Sequence, residues 1–169
     1  EGSDPETGDG AGVLIQIPHE FFSKRSGVQI PEAGRYGVGM VFLPSTEKER
    51  KHAEQTIERV SENEGLEFLG WRSVDVDNSQ IGSTAKNVEP VIKQFFVGEG
   101  GQELDQLGLE RKLYVVRKVI ESELAKGKAE TVETFYICSL STKTIVYKGL
   151  VTGTQLDRYF RDLKDPLLQ

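Results

Sequence analysis

Strands and helices alternate along this chain of 169 residues, and that alternation predicts a mixed α/β or α+β domain. Two observations sharpen the expectation. Two segments place apolar residues at helical spacing on one side only, and two short strands near the end lie about two residues apart, the spacing of an antiparallel hairpin. The length suits one domain with a real core and is short for two.

Residues 1–12 are polar and glycine-rich, with Asp4, Glu6 and Asp9 giving an acidic entry. Val13 to Ile17 reads as a short apolar strand buried on both faces. A brief helix from His19, anchored by Phe21 and Phe22, ends near Gly27. Tyr36 to Leu43 is the next strand. Gly37 and Gly39 share one face of it, so a neighbour packs unusually close there.

Thr46 and Glu49 form a capping box for a surface helix whose narrow apolar stripe is Ala53, Ile57 and Val60, with Gly65 as its stop. Leu66 to Val74 reads as a strand carrying the only tryptophan. Residues 75–89 hold one short helical turn around Ser83 to Asn87. Val91 to Val97 is a strand, followed by a flexible Gly98–Gly101 loop. Leu109, Leu113, Val116, Ile120 and Leu124 mark a long helix ending near Gly127. Thr134 to Ser141 and Thr144 to Leu150 make the hairpin. Thr152 and Gln155 cap a last helix, with Leu156, Tyr159, Phe160 and Leu163 inward and Pro166 as its end.

Composition narrows the function classes. With 37% hydrophobic and 28% charged residues the chain reads as soluble and globular. No apolar run approaches the roughly 20 residues that span a bilayer, and no signal peptide opens the chain. A net charge of −6 without a basic patch argues against nucleic acid. One cysteine excludes an internal disulfide and fits a reducing compartment, cytoplasm or a plastid stroma. His19, His52 and Cys138 are too scattered for a metal site.

The densest motif is Gly8-Asp9-Gly10-Ala11-Gly12, three glycines in five residues running into a strand. A dinucleotide fingerprint needs its glycines after a strand and before a helix, so that reading fails. A calcium loop fails on the spacing of Asp4, Glu6 and Asp9. What the residues themselves support is a tight connection into a strand, or a backbone that approaches a small ligand closely.

Further blocks follow in order: Tyr36-Gly37-Val38-Gly39-Met40-Val41-Phe42-Leu43-Pro44, then Gly70-Trp71-Arg72, Glu110-Arg111-Lys112-Leu113-Tyr114, and Tyr136-Ile137-Cys138-Ser139-Leu140-Ser141 leading to Tyr147-Lys148-Gly149. Together they resemble the glutaminase domain of glutamate synthases, class II glutamine amidotransferases of the N-terminal-nucleophile hydrolase type, over nearly the whole chain. The resemblance implies an α+β fold of stacked antiparallel sheets flanked by helices, a four-layer αββα arrangement, with an inserted α/β region. It also implies an incomplete domain. The family's nucleophile is a first-residue cysteine whose own α-amine is its base, whereas residue 1 here is Glu and Cys138 is internal. The substrate-binding arginine and the Asn-Gly pair of the oxyanion hole are expected beyond Gln169.

Site expectations follow from the resemblance. Gly8, Asp9, Gly10, Ala11 and Gly12 would line the glutamine pocket through their backbone, with Asp9 orienting the loop, and Lys148 would lie toward the active-site region. No catalytic residue is expected in this chain. Cys138 is read as a buried, inert thiol. Arg111, Lys112, Arg117 and Lys118 read as a solvated helix face paired with Glu110, Glu121 and Glu123, and His19 as a helix-start residue without a partner serine. The whole protein would hydrolyse L-glutamine to glutamate and ammonia for reductive amination of 2-oxoglutarate. FMN and an iron–sulfur cluster would sit in its other domains, which would be this chain's partners. The other reading is a non-catalytic domain that kept the fold and serves in assembly. Exposed strand edges would favour self-association of the isolated chain.

Overall fold

The computed structural model describes residues 10–126 and 135–169. Its strands are β1 (Ala11–Gln16), β2 (Tyr36–Leu43), β3 (Glu67–Ser73), β4 (Val91–Gly98), β5 (Tyr136–Ser141) and β6 (Thr144–Gly149). Its helices are α1 (His19–Arg25), α2 (Glu47–Asn63), α3 (Ser83–Asn87), α4 (Gln106–Ala125) and α5 (Leu156–Tyr159), with a 3-10 turn at Arg161–Lys164. The expected starts and stops at Gly127 and Thr134 lie outside the described residues. No described helix is long and apolar enough to cross a membrane.

All pairings are antiparallel. Four strands form one sheet in the order β3-β4-β2-β5, and β1 pairs with β6 in a second. Helices α2 and α4 cover one face of the larger sheet, burying Ala53, Ile57, Val60, Leu109, Leu113, Val116 and Ile120 against Val41, Phe95 and Val97. Its other face packs on the two-stranded sheet, where Val38, Met40 and Phe96 meet Ile145 and Tyr147 beside Phe21 and Phe22 of α1. This is the α+β architecture of two antiparallel sheets flanked by helices.

Strand β2 shows why the sequence folds this way. Its period of two sends Tyr36, Val38 and Met40 to the inter-sheet side and Gly37, Gly39 and Val41 to the helix side. A Cβ on Gly37 would stand 2.5 Å from a Leu113 methyl, and one on Gly39 would stand 2.1 Å from the Phe95 ring. The two glycines are the space that α4 and the Phe95 ring occupy.

Four expectations need correction. Strand β1 begins at Ala11 and alternates between half-buried and exposed residues, with Leu14 63% exposed, because only its inward face meets the core. The β5–β6 segment is not a paired hairpin. Ile137 and Leu140 of β5 belong to the helix-side core, Ile145 and Tyr147 of β6 to the inter-sheet core, so the chain changes sheets at the turn. Thr46 sits at the N-cap of α2 without a side-chain capping bond; the Arg50 guanidinium instead donates to the Ser45 carbonyl at 2.7 Å. The last helix is interrupted. Phe160 turns extended and bridges Val76, with Asp77 N–H bonded to the Tyr159 carbonyl at 2.8 Å, so tertiary pairing overrides the helix. Of the second capping box one half forms, the Gln155 side-chain oxygen accepting from the Thr152 N–H at 2.9 Å.

Candidate functional site

The β1–β6 pairing gathers the expected site residues that the structure describes. Ala11 stands opposite Gly149 and Gly12 opposite Lys148. Gly10 has φ +116°, and a Cβ there would lie 3.8 Å from the Gly149 carbonyl, so a side chain would be strained whatever the space. A Cβ on Gly12 would come 3.2 Å from the Tyr147 carbonyl. The run expected as a loop is thus already strand from Ala11, while Gly8 and Asp9 lie outside the described residues.

Lys148 lines a cleft of ≈ 740 Å³ together with Phe42, Ile92, Tyr136, Gly149 and Leu150. Its ammonium lies 4.9 Å from the centre of the Tyr136 ring. No carboxylate among the described residues comes within ion-pair distance of it. Glu89 forms another polar point of the cleft, accepting from the Tyr159 hydroxyl at 2.8 Å and from the Asn78 amide at 2.9 Å. The cleft therefore offers apolar walls with an ammonium at its rim that has no carboxylate partner among the described residues, a combination that suits a small anionic or zwitterionic ligand.

Cys138 lies on β5. It is the extra residue of a bulge, since Ser139 opposes Met40 and Ile137 opposes Val41. It is half-buried rather than fully buried, and burial pushes its thiol up to about 12 against the opposing pull of Lys148 and Arg117. The thiol stays protonated at neutral pH. His19 does have neighbours: its Nδ1 lies 2.8 Å from the Tyr36 hydroxyl, and Ser23, one turn on, reaches its Nε2 at 3.4 Å. That serine contact is exposed and at the outer limit of a hydrogen bond. The basic face of α4 follows the expected pairing in part. Arg117 and Lys118 use Glu121, Lys112 uses Glu64, Glu123 turns to Arg59, and Glu110 binds Ser141 and Thr142 at the β5–β6 turn.

Between the sheets lies a polar group that sequence reasoning missed. Arg72 of β3 donates to both oxygens of Asp162, each at 2.7 Å, and to the Gln94 side-chain oxygen at 2.9 Å. The Tyr147 hydroxyl donates to Asp162 at 2.8 Å and accepts from the Gln94 amide at 3.1 Å. Burial works against the Arg72 charge, but Asp162 outweighs it and holds the guanidinium above its ordinary pKa. Burial, then the Asp162 charge, pushes the Tyr147 hydroxyl well above the usual tyrosine range, so it remains a donor. The available signal was Gln94, a lone amide among the apolar residues Ile92, Phe95, Phe96 and Val97.

The family model of the class II glutamine amidotransferases matches residues 1–169. The chain belongs to that family. Among curated relatives it is 48% identical over 166 residues to the glutamate synthase [NADPH] large chain of Bacillus subtilis, covering 98% of this chain and 11% of that protein. It is 42% identical to ferredoxin-dependent glutamate synthase 2 of Synechocystis, over 97% of this chain and 10% of that protein. Against glutamate synthase [NADH] of Saccharomyces cerevisiae it is 38% identical, over 92% of this chain and 8% of that protein. The chain thus spans about a tenth of the length of these amidotransferase relatives.

Proposed function

We propose that these residues are the central scaffold of the glutaminase domain of a glutamate synthase, whose whole protein hydrolyses L-glutamine to glutamate and passes the ammonia on for reductive amination of 2-oxoglutarate. The observation that carries this reading is 48% identity to a glutamate synthase across 98% of the chain. The geometry is in keeping with it. Gly10, Ala11 and Gly12 meet Lys148 and Gly149 at one end of the small sheet, next to the cleft, where backbone and the Lys148 ammonium could hold an amino-acid substrate.

The nucleophile comes from elsewhere in the parent protein. Family chemistry needs a cysteine with a free α-amine, and Cys138 has its nitrogen in a peptide bond and its thiol protonated. FMN and the iron–sulfur cluster likewise belong to other domains, since a cluster takes several thiolates and these residues hold one cysteine. Those domains are the chain's partners, and the cytoplasm or a plastid stroma its compartment.

The test is glutamate release from glutamine. The parent protein turns glutamine over, and the 169-residue chain alone does not. Gly10→Val in the parent removes most of the activity, because valine cannot follow the backbone at φ +116°. Turnover by the isolated chain that survives Cys138→Ser, or a parent protein without glutaminase activity, overturns the reading.

A further inference from the structure

The two-stranded sheet has few polar ties to the rest of the molecule. Two run to serines of β5, the Val146 N–H donating to the Ser139 hydroxyl at 3.0 Å and the Thr144 N–H to the Ser141 hydroxyl at 3.3 Å. Another runs through the tip of Tyr147, which is fully buried between the sheets with its ring edge-on to Phe160 at 5.2 Å. From that tip one bond goes to Gln94 on β4 and one to Asp162 on the 3-10 turn, and Asp162 is itself gripped at both oxygens by Arg72 on β3. Three separate elements therefore fix one hydroxyl.

Tyr147 immediately precedes Lys148 and Gly149. These two stand opposite Gly12 and Ala11, and Gly10 lies against the Gly149 carbonyl. On the far side the Tyr159 ring lies 3.2 Å from where a Gly149 Cβ would be, so the strand end has no slack in that direction either. A displacement of the Tyr147 ring is passed along the backbone to the residues at the mouth of the cleft. Apolar residues in place of the whole group would fill the same space without needing partners, and such a replacement is often no less stable. The network gives direction and distance, which apolar packing does not.

We propose that the Tyr147 hydroxyl, clamped by Gln94 and the Arg72–Asp162 pair, is a positioning group for glutamine binding, setting where Lys148, Gly149 and Gly10 stand. The proposal rests on the glutaminase reading. Tyr147 touches no substrate; it acts through its neighbours in sequence.

Steady-state glutaminase kinetics of the parent protein test it. Tyr147→Phe is expected to raise KM for glutamine about 3- to 10-fold with kcat within about twofold, the pattern of lost substrate binding without lost chemistry. Gln94→Leu severs the tie from the β4 side and should act in the same sense. Combined with Tyr147→Phe it should add less than its separate effect, because both cut one connection. Ser61→Ala serves as the control. It removes a fully buried hydroxyl that bonds only the Ile57 carbonyl within α2, and it should lower thermal stability with KM unchanged. If Tyr147→Phe lowers the melting temperature and leaves KM at the wild-type value, the hydroxyl is merely structural and the proposal is overturned while the glutaminase reading stands. A wild-type parent that releases no glutamate from glutamine overturns both.

Discussion

The two faces of the four-stranded sheet are built on different principles. On the helix side the core is apolar, and buried hydroxyls such as Thr56 and Ser61 bond carbonyls one turn back in their own helix. On the inter-sheet side Arg72, Gln94, Tyr147 and Asp162 bond one another across the chain, Arg72 and Asp162 being 90 residues apart in sequence. The first face is held by shape and local order. The second depends on distant segments arriving together, and it is the one that carries the residues around the cleft.

The largest effect should come from breaking the ion pair of that second face. Asp162→Ala leaves the buried Arg72 guanidinium without its carboxylate and should cost about 3–5 kcal/mol. Urea unfolding of the purified chain measures it. A loss under about 1 kcal/mol would mean that water compensates the guanidinium and that the two faces differ less than their hydrogen bonds suggest.

On the helix side the corresponding blow is steric. Gly39→Val puts a branched side chain where the Phe95 ring lies, and that ring is held by Phe68 and Trp71 at 6.3 and 5.6 Å between centroids. Overpacking of this kind should cost about 1–3 kcal/mol, read in the same urea experiment. An undiminished midpoint would show that Phe95 can swing aside, and that the glycine face of β2 is not what lets the layers approach.

How much of each face was legible follows from the same difference. Ala53, Ile57 and Val60, and Leu109 through Leu124, declare their helices because partners three and four residues apart lie within one element. The close approach at Gly37 and Gly39 could be read for the same reason, from the period of a single strand. Strand β1 could not. Val13 to Ile17 carries no mark that its partner is β6, about 130 positions later, or that its outward face meets nothing among the described residues. The β5–β6 turn had hairpin spacing, and only the allocation of Ile137 and Ile145 to different cores shows that the strands part there. For the proposed site, the glycine motif and Lys148 come from the family resemblance, and the structure adds that Ala11 and Gly12 stand opposite Gly149 and Lys148. The Arg72–Asp162 clamp was not, because Asp162 sat in a segment that reads as helix until Phe160 pairs with Val76.

Alkali should loosen the inter-sheet face first. Burial raises Tyr36 to about 12, and Tyr147 and Tyr159 are displaced upward as well. Below the ordinary tyrosine value near 10 these groups are protonated in both folded and unfolded chains. Above it the folded chain holds more protons than the unfolded one, so stability falls as pH rises from about 10 toward 12. Thermal unfolding from pH 8 to 11 should give a flat, then declining, melting temperature, and Tyr147→Phe should make the decline shallower. A decline of the same slope in that variant would assign the effect to other groups.

A smaller contrast separates the edges of the two sheets. Strand β1 pairs with β6 alone among the described residues and shows Leu14 to solvent at 63% exposure, an arrangement that favours pairing with another copy. The isolated chain should self-associate, and Leu14→Lys should shift it toward monomer in sedimentation velocity. A wild-type chain that is monomeric at high concentration would show that this edge is inert.

The smallest effect belongs to Cys138, although it lies beside the residues assigned to the site. Its thiol occupies a bulge in β5, packs partly against the inter-sheet core, and is kept protonated by burial. Serine is close in size and brings one polar atom into a half-buried place where solvent can reach it. Cys138→Ser should therefore cost no more than about 1 kcal/mol and leave the glutaminase kinetics proposed for the parent protein unchanged. Thiol titration with a disulfide reagent adds an independent reading, since a protonated, half-buried thiol reacts slowly at neutral pH and speeds up on unfolding. Fast reaction of the folded chain, or a substantial loss of the proposed glutaminase activity with serine, would move Cys138 from packing into the proposed site.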